Sequence, residues 1–255
     1  MLVSVIIPCY NHAQYLTETV HSVLNSTFKD LEIIIVDDGS TDNSRTVAQE
    51  LCVQYPEVSY LYQNNSGPSV ARNYGISKSS GKYILALDAD DLISDNYIEQ
   101  AVAILESNPQ VKVVYAEAEK FGKVNKPWKL KSFSPERLAL DNMIYVSALY
   151  RNEDWQRVNG YTELAVLVRE DWEFWIKILK NGGEVVKLPF VGFYYRIHSD
   201  SRRKSMSKTK KNAEIAYLNS KHADFFKKYL GGPLRTNRSL SKKINWFVRL
   251  FNFGA

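Results

Sequence analysis

The 255-residue sequence predicts a doubly wound α/β fold with a mainly parallel sheet. Three observations carry this. Short runs rich in Val and Ile alternate with helical patterns through the first half of the chain, as βαβ units require. The runs are apolar on both faces, the mark of strands covered on both sides. They end in clusters of Asp and turn formers, which places polar chemistry at the carboxyl ends of strands.

Each element follows in order. Val3 to Ile7 reads as the first strand, apolar apart from Ser4. Leu16, Val20, Val23 and Leu24 follow the i, i+4, i+7, i+8 stripe of a helix. LEIIIV, from Leu31, is a second buried strand, and DDGSTDNS after it supplies a turn and a helix start. A helix through Val47, Ala48 and Leu51 leads to a third strand, Val58 to Tyr62. A helix over Ser69 to Ser79 and a fourth strand, Lys82 to Leu87, come next. Asp95 is then expected to cap a helix with Ile98, Ala101, Val102 and Leu105 inside, and VKVVYA from Val111 is the fifth strand. After Ala116 the segment EAEKFGKVNKPWKLKSFSPERL reads as irregular loops over the edge of the first module. MIYVSALY reads as a further strand, and DWEFWIKILKNGG as a helix that stops at Gly182 and Gly183.

Composition excludes several classes. Two cysteines, Cys9 and Cys52, are too few for a disulfide framework, and no CxxC or His/Cys cluster marks a zinc site, which fits a reducing cytoplasm. No apolar stretch approaches the roughly 20 residues of a membrane span. The opening MLVSVIIPCYNH lacks a basic leader and a cleavage site and reads as a strand. The net charge is +5, but its placement says more. RRKSMSKTKK, from Arg202, and the tail from Arg235 contain no acidic residue, while the aspartate clusters lie in the first half. One end is built for anions and the other for cations.

If the strand order begins 3-2-1-4, strands one and four meet at the switch point where doubly wound sheets bind ligands. Pro8, Tyr10 and Asn11 then face Asp88 to Asp91 across one crevice, with Asp37 and Asp38 beside them. The turn PCYNHAQ has no glycine, so a dinucleotide-type phosphate turn is absent, as is a GxxxxGK[ST] loop. Three carboxylates in four positions, in DADD, repel one another unless a cation compensates. Oxygen ligands of this kind favour Mg²⁺ or Mn²⁺, completed by phosphate and water. Taken alone, DDGSTD is equally a turn and helix cap.

VSVIIPCYNHAQYLTETVHSVLNSTFKDLEIIIVDDGSTDNS and SGPSVARNYGISKSSGKYILALDADD closely resemble the nucleotide-sugar half of family two glycosyltransferases with the GT-A fold. The likeness runs from Val3 to about Asp91 and then thins to GYTEL, RED and YYRIH. It implies an inverting, metal-assisted transferase that moves a sugar from a nucleoside-diphosphate donor, UDP-sugar foremost, to an acceptor hydroxyl. On that pattern Pro8, Tyr10, Asn11 and Asp38 hold the nucleoside. Asp88, Ala89 and Asp91 belong to the donor diphosphate site, with Asp88, Asp90 and His198 as ligands of Mn²⁺ or Mg²⁺. Arg72 and Arg196 contact phosphate or sugar, although Arg72 reads equally as a helix-surface residue. Asp171 is the base, with Glu170 orienting the acceptor. Acidic residues also favour the first turn of a helix for its dipole alone. Trp155, Trp172 and Trp175 read as core more than as sugar platforms.

The resemblance divides the chain into a nucleotide-sugar half, 1–116, an acceptor and base half, 117–200, and a basic loop with C-terminal helices, 201–255. In that last part RRKSMSKTKK reads as a mobile flap near the donor. Trp246, Phe247, Leu250 and Phe251 share a helical face among Lys242, Lys243 and Arg249. That face suits either an anionic membrane surface, and so a lipid-linked or glycan acceptor, or packing on protein. The expected setting is cytoplasmic, peripheral on the inner face of a bacterial plasma membrane, in polysaccharide synthesis; an oligomer stays open. A sugar nucleotidyltransferase would carry a glycine-rich basic turn after strand one, which is missing. An inactive nucleotide-sugar-binding subunit would have no need of RED. Nucleic-acid binding has neither an RNP-like strand nor a helix-turn-helix to rest on, and the acidic sheet end repels a phosphate backbone.

Overall fold

The computed structural model describes residues 2–164, 167–198 and 207–251. The first half builds four strands and three helices: β1 (Val3–Cys9), α1 (Ala13–Leu24), β2 (Leu31–Asp38), α2 (Ser44–Gln54), β3 (Val58–Gln63), α3 (Pro68–Lys78) and β4 (Tyr83–Ala86). They pair as parallel neighbours in the order β3-β2-β1-β4, so the switch point lies between β1 and β4 as expected. Right-handed crossovers then set α1 and α2 on one face and α3 on the other. Side chains alternate accordingly: Ile6 and Val36 point at α3, while Cys9 approaches Ser44 of α2.

The polar interruption in β1 has a partner. Ser4 is fully buried; its hydroxyl donates to Glu32 Oε1 at 2.6 Å and accepts from the Gly81 N–H at 2.8 Å. One hydroxyl thus ties three strand starts together. Helix α3 lies close on the sheet because residue 75 is glycine. A Cβ there would stand 2.5 Å from Ile6 Cγ2 and 2.9 Å from Val36 Cγ2. Gly75→Ala is expected to lower stability by about 1–3 kcal/mol through overpacking. A urea midpoint equal to that of wild type would contradict this close approach.

The rest of the sheet is mixed. β5 (Leu92–Ile93), α4 (Tyr97–Ser107), β6 (Val111–Gly122), β7 (Lys126–Trp128), α5 (Pro135–Leu138), β8 (Leu149–Arg151), α6 (Asn152–Arg157), α7 (Glu170–Leu179) and β9 (Glu184–Ile197) complete it. The described strands form one nine-stranded sheet, β3-β2-β1-β4-β8-β6-β9-β5, with β7 paired to β6. β6 and β9 run parallel, whereas β8 is antiparallel to both β4 and β6.

Three expectations are corrected here. The fifth strand does not stop at Ala116. It continues to Gly122, because β9 supplies a parallel partner from Val191 to Ile197 and β7 pairs on its other side. MIYVSALY is a strand only at its end, in β8. Before it, side chains satisfy the backbone in place of a ladder. Tyr145 OH accepts from the Ala116 N–H at 2.8 Å, Trp175 Nε1 donates to the Ile144 carbonyl at 3.0 Å, and Tyr97 OH donates to the Ser147 carbonyl at 2.8 Å. Asp95 does not cap α4; Asn96 holds that position without a side-chain cap bond, and the Asp95 carbonyl accepts from the Thr27 N–H at 2.8 Å.

The C-terminal part is helical: α8 (Lys208–Lys221), α9 (Ala223–Leu230), a 3₁₀ turn at Arg238–Leu240 and α10 (Ser241–Phe251). Residues 199–206, which hold the first half of the basic RRKSMSKTKK segment, lie outside the described residues. Its remainder is no loop: Ser207 caps α8 by accepting from the Lys210 N–H, and Lys208–Lys211 form the first turn. Phe225, Phe226 and Leu230 of α9 are buried. Among the described residues no helix is long and apolar enough to cross a membrane.

Candidate active site

A cleft of about 380 Å³ opens where β1 and β4 end, and it gathers residues from distant parts of the sequence. Pro8, Tyr10, Asp38, Arg72, Asp88, Ala89, Asp90, Asp91, Glu170, Asp171 and His198 all line it. Asn11 and Arg196 do not. The Asn11 amide oxygen accepts from the Thr41 N–H at 2.8 Å and the Asp42 N–H at 3.3 Å, so it stitches the end of β1 to the loop after β2. Arg196 donates to the Asp90 carbonyl at 2.7 Å and to Glu18, and its guanidinium lies on the rings of Tyr15 and Phe121. Its backbone N–H donates to Asp91 at 2.8 Å, so Arg196 braces the aspartate turn from behind.

The two aspartates after β2 divide the work of holding loops. Asp37, buried, accepts from the Ser40 N–H and from Tyr60 OH. Asp38 accepts from Gln63 Nε2 at 2.7 Å and from the N–H groups of Ser66 and Gly67 at 2.8 and 2.9 Å. Its carboxylate therefore anchors the chain entering α3. Tyr10 keeps its ring 39% exposed at the cleft mouth, open to stacking.

Within DADD the carboxylates face different partners. Asp88 Oδ1 accepts from Arg72 at 2.7 Å. Asp90 Oδ2 stands 2.6 Å from His198 Nε2, and His12 Nδ1 lies 4.0 Å from its other oxygen. Asp91 is 1% exposed, and burial first, then the charges of Asp90 and Asp88, push its carboxyl well above the ordinary range. Asp91 thus supports the turn from its buried side. Ala89 is fully buried, and its carbonyl accepts from Thr19 Oγ1 at 2.9 Å.

Do these groups fit a divalent cation? Among the described residues no three His, Cys, Asp or Glu side chains already surround one point. Asp90 and His198 nevertheless offer one oxygen and one nitrogen side by side, a pair suited to Mn²⁺ or Mg²⁺ when diphosphate and water fill the other positions. Asp88, tied to Arg72, would be the weaker third ligand. The donor set fits.

On the opposite wall Glu170 and Asp171 open α7. Arg72 is 3% exposed and donates to Glu170 Oε1 at 2.8 Å while it holds Asp88, so one buried cation bridges the two acidic groups. Its face also lies over Tyr161. The Arg72 guanidinium is thereby committed within the protein. Asp171 Oδ2 accepts from Asn142 Nδ2 at 2.7 Å. Burial, with the Glu170 charge second, pushes the Asp171 carboxyl up to about 7, against the pull of Arg72. An acid poised near neutrality in a cleft can take a proton from an incoming hydroxyl.

The residues 4–173 match the family described as glycosyl transferase family 2, well over half of the chain. The chain belongs to that family. The chain is 44% identical over 99 residues to the glycosyltransferase GlyG of Streptococcus pneumoniae, an alignment covering 38% of the chain. It spans between 15% and 36% of the length of GlyG and similar curated relatives. Its fold matches the crystal structure of S. aureus TarS 1-349 in complex with UDP-GlcNAc with a TM-score of 0.72 at 20% identity, over 97% of this chain and 75% of that one. A mannosyltransferase from Pyrobaculum calidifontis in complex with GDP-Man and Mn²⁺ gives 0.65 at 17% identity, over 99% and 76%. At such identities the likeness shows the GT-A fold itself.

Several cleft residues of this family 2 chain escaped the sequence reading. His12, Trp128, Asp141, Asn142 and Tyr145 line it. Trp128 stands in the place considered for Trp172 and Trp175, which are fully buried, and Trp155 lines a different hollow beside Asn73. The aromatic density of the segment after Ala116 was the available signal for Trp128; nothing local marks Asn142.

Proposed function

We propose that this chain transfers a sugar, with inversion, from a nucleoside-diphosphate sugar to an acceptor hydroxyl. The observation that carries this is one cleft lined by both the Asp88–Asp91 turn and the Glu170–Asp171 pair. A UDP-sugar is the proposed donor, since the fold likeness is greater to TarS with UDP-GlcNAc (TM-score 0.72) than to the mannosyltransferase with GDP-Man (0.65). Tyr10 stacks on the base, while Asp38 keeps the loop below it in place.

Asp90 and His198 would hold Mn²⁺ or Mg²⁺. When bound, that ion supplies Lewis-acid neutralisation of the leaving diphosphate. Asp88, held by Arg72, orients the donor, and Asp91 stiffens the turn behind it. In this reading residues 1–116 serve the donor and 117–200 serve the acceptor and, through His198, the metal, with Trp128 and Tyr145 on the acceptor wall. The acceptor oxygen forms its bond to the anomeric carbon as the bond to the diphosphate oxygen breaks. Its proton passes to Asp171, which Asn142 holds in place. A glycan or lipid-linked hydroxyl meets this description.

The test is calorimetric titration with UDP, with and without Mn²⁺. Wild type is expected to bind UDP more tightly with Mn²⁺. Asp90→Ala is expected to lose at least about tenfold in that metal-dependent affinity, the scale seen when metal sites lose a supporting group. Equal affinity in the two proteins would remove Asp90 from the metal site.

A further inference from the structure

Helix α10 is built inside out. The residues it turns toward the protein are polar: Ser241 is fully buried and Asn245 is 2% exposed. Ser241 Oγ accepts from the Arg235 N–H at 3.0 Å. Asn245 donates to the carbonyls of Leu230 and Pro233 at 3.2 and 2.9 Å and accepts from the Arg235 guanidinium at 3.2 and 3.1 Å. These polar hooks dock the helix. Trp246 is 63% exposed, Leu250 54%, Val248 41% and Ile244 37%. A helix of a globular protein turns such residues inward.

The charge that α10 itself carries has one sign, with Glu136 of α5 as an acidic neighbour of Lys242. No Asp or Glu follows Asp224 in the sequence, while Lys227, Lys228, Lys242, Lys243 and Arg249 lie on α9 and α10. A protein partner burying this face would bury cations with it, whereas anionic lipid headgroups neutralise them beside the acyl boundary that takes Trp and Leu. We propose that α10 is a membrane-surface helix, which seats Trp246 and Leu250, one turn apart on its outer side, in the headgroup region of an anionic bilayer.

The position of the helix gives the contact a use. Arg238, in the turn that leads into α10, pairs with Asp141 and lies over Trp172. Asp141 lines the cleft beside Asn142, the partner of Asp171. A surface-bound α10 therefore holds the acceptor wall next to the bilayer. This last step rests on the transferase reading; the lipid contact itself does not.

Co-sedimentation of the full chain with vesicles tests the contact without any enzymatic readout. Binding is expected to vesicles of phosphatidylcholine with phosphatidylglycerol and not to phosphatidylcholine alone, and to fade at high salt. Trp246→Glu with Leu250→Glu is expected to lower the bound fraction at least about tenfold, with an unchanged melting midpoint. Lys242→Glu with Lys243→Glu is expected to weaken binding while leaving those apolar side chains intact. Failure of wild type to bind anionic vesicles, or equal binding by the Glu variants, overturns the proposal. So does a lipid-free dimer that the Trp246/Leu250 variant abolishes, since the face would then join two copies of the chain. UDP binding would stand in each of these cases.

Discussion

Asp171→Asn is expected to bind donor with the affinity of wild type and to transfer sugar about 10²–10⁴-fold more slowly, the range supplied by a positioned base. The substitution keeps the shape of the group and its reach to Asn142, but removes the carboxylate oxygen proposed to take the proton. In wild type, kcat/KM is expected to fall below a pH of about 7, because burial and the Glu170 charge raise the Asp171 carboxyl to that value. The limb should vanish from the residual activity of the Asn variant. A variant that retains full transfer would assign the base elsewhere in the cleft.

The same carboxyl leaves a trace in stability, which can be read without substrate. Its ordinary value is 3.8 and the folded protein raises it to about 7, so between those values the fold binds a proton that the unfolded chain releases. The sign follows from linkage: this contribution is complete below a pH of about 4 and is lost as pH rises through about 7. Melting midpoints of wild type and Asp171→Asn should therefore diverge with rising pH, with the Asn variant the more stable at pH 8. Parallel curves would mean that Asp171 ionises freely in the fold.

How much of this lay in the sequence depended on whether the determinant is local. β1, β2 and β4 are apolar runs that end in polar clusters, and both features are written in consecutive residues. The switch point then brought Tyr10 and Asp88–Asp91 into one cleft by topology alone. Asn11 and Arg196 sit in motifs that carry the family resemblance, but their side chains are spent on Thr41 and on Glu18, partners that only the folded loops bring near. The extension of β6 was legible in the alternation Ala116, Glu117, Ala118, Glu119, yet its charge hid it. A strand at that place is satisfied by β9, which lies some seventy residues onward. Asn142 has no local signature at all, since its meaning comes from Asp171 across the cleft.

Arg72→Met is expected to be the most damaging single change outside the base. The guanidinium is 3% exposed and answers two carboxylates, Asp88 at 2.7 Å and Glu170 at 2.8 Å, so its removal leaves both charges facing each other with no cation between them. Losing one partner of a buried pair costs about 3–5 kcal/mol; Asp88 keeps 36% of its side chain in solvent, which brings the expected loss to about 2–4 kcal/mol. Arg72→Lys should fall between, because a single ammonium cannot meet two carboxylates in the forked geometry of Arg. The change also reaches Asp171, whose ionisation Arg72 favours; without it the acidic limb of kcat/KM should move to higher pH. Denaturant melts of these variants, and a pH profile of Arg72→Gln, which removes the charge that Lys would keep, check the two effects separately. An unshifted limb in a variant that is destabilised would confine Arg72 to holding the fold. A shifted limb makes it the link through which the donor turn at Asp88 and the base at Asp171 feel one charge.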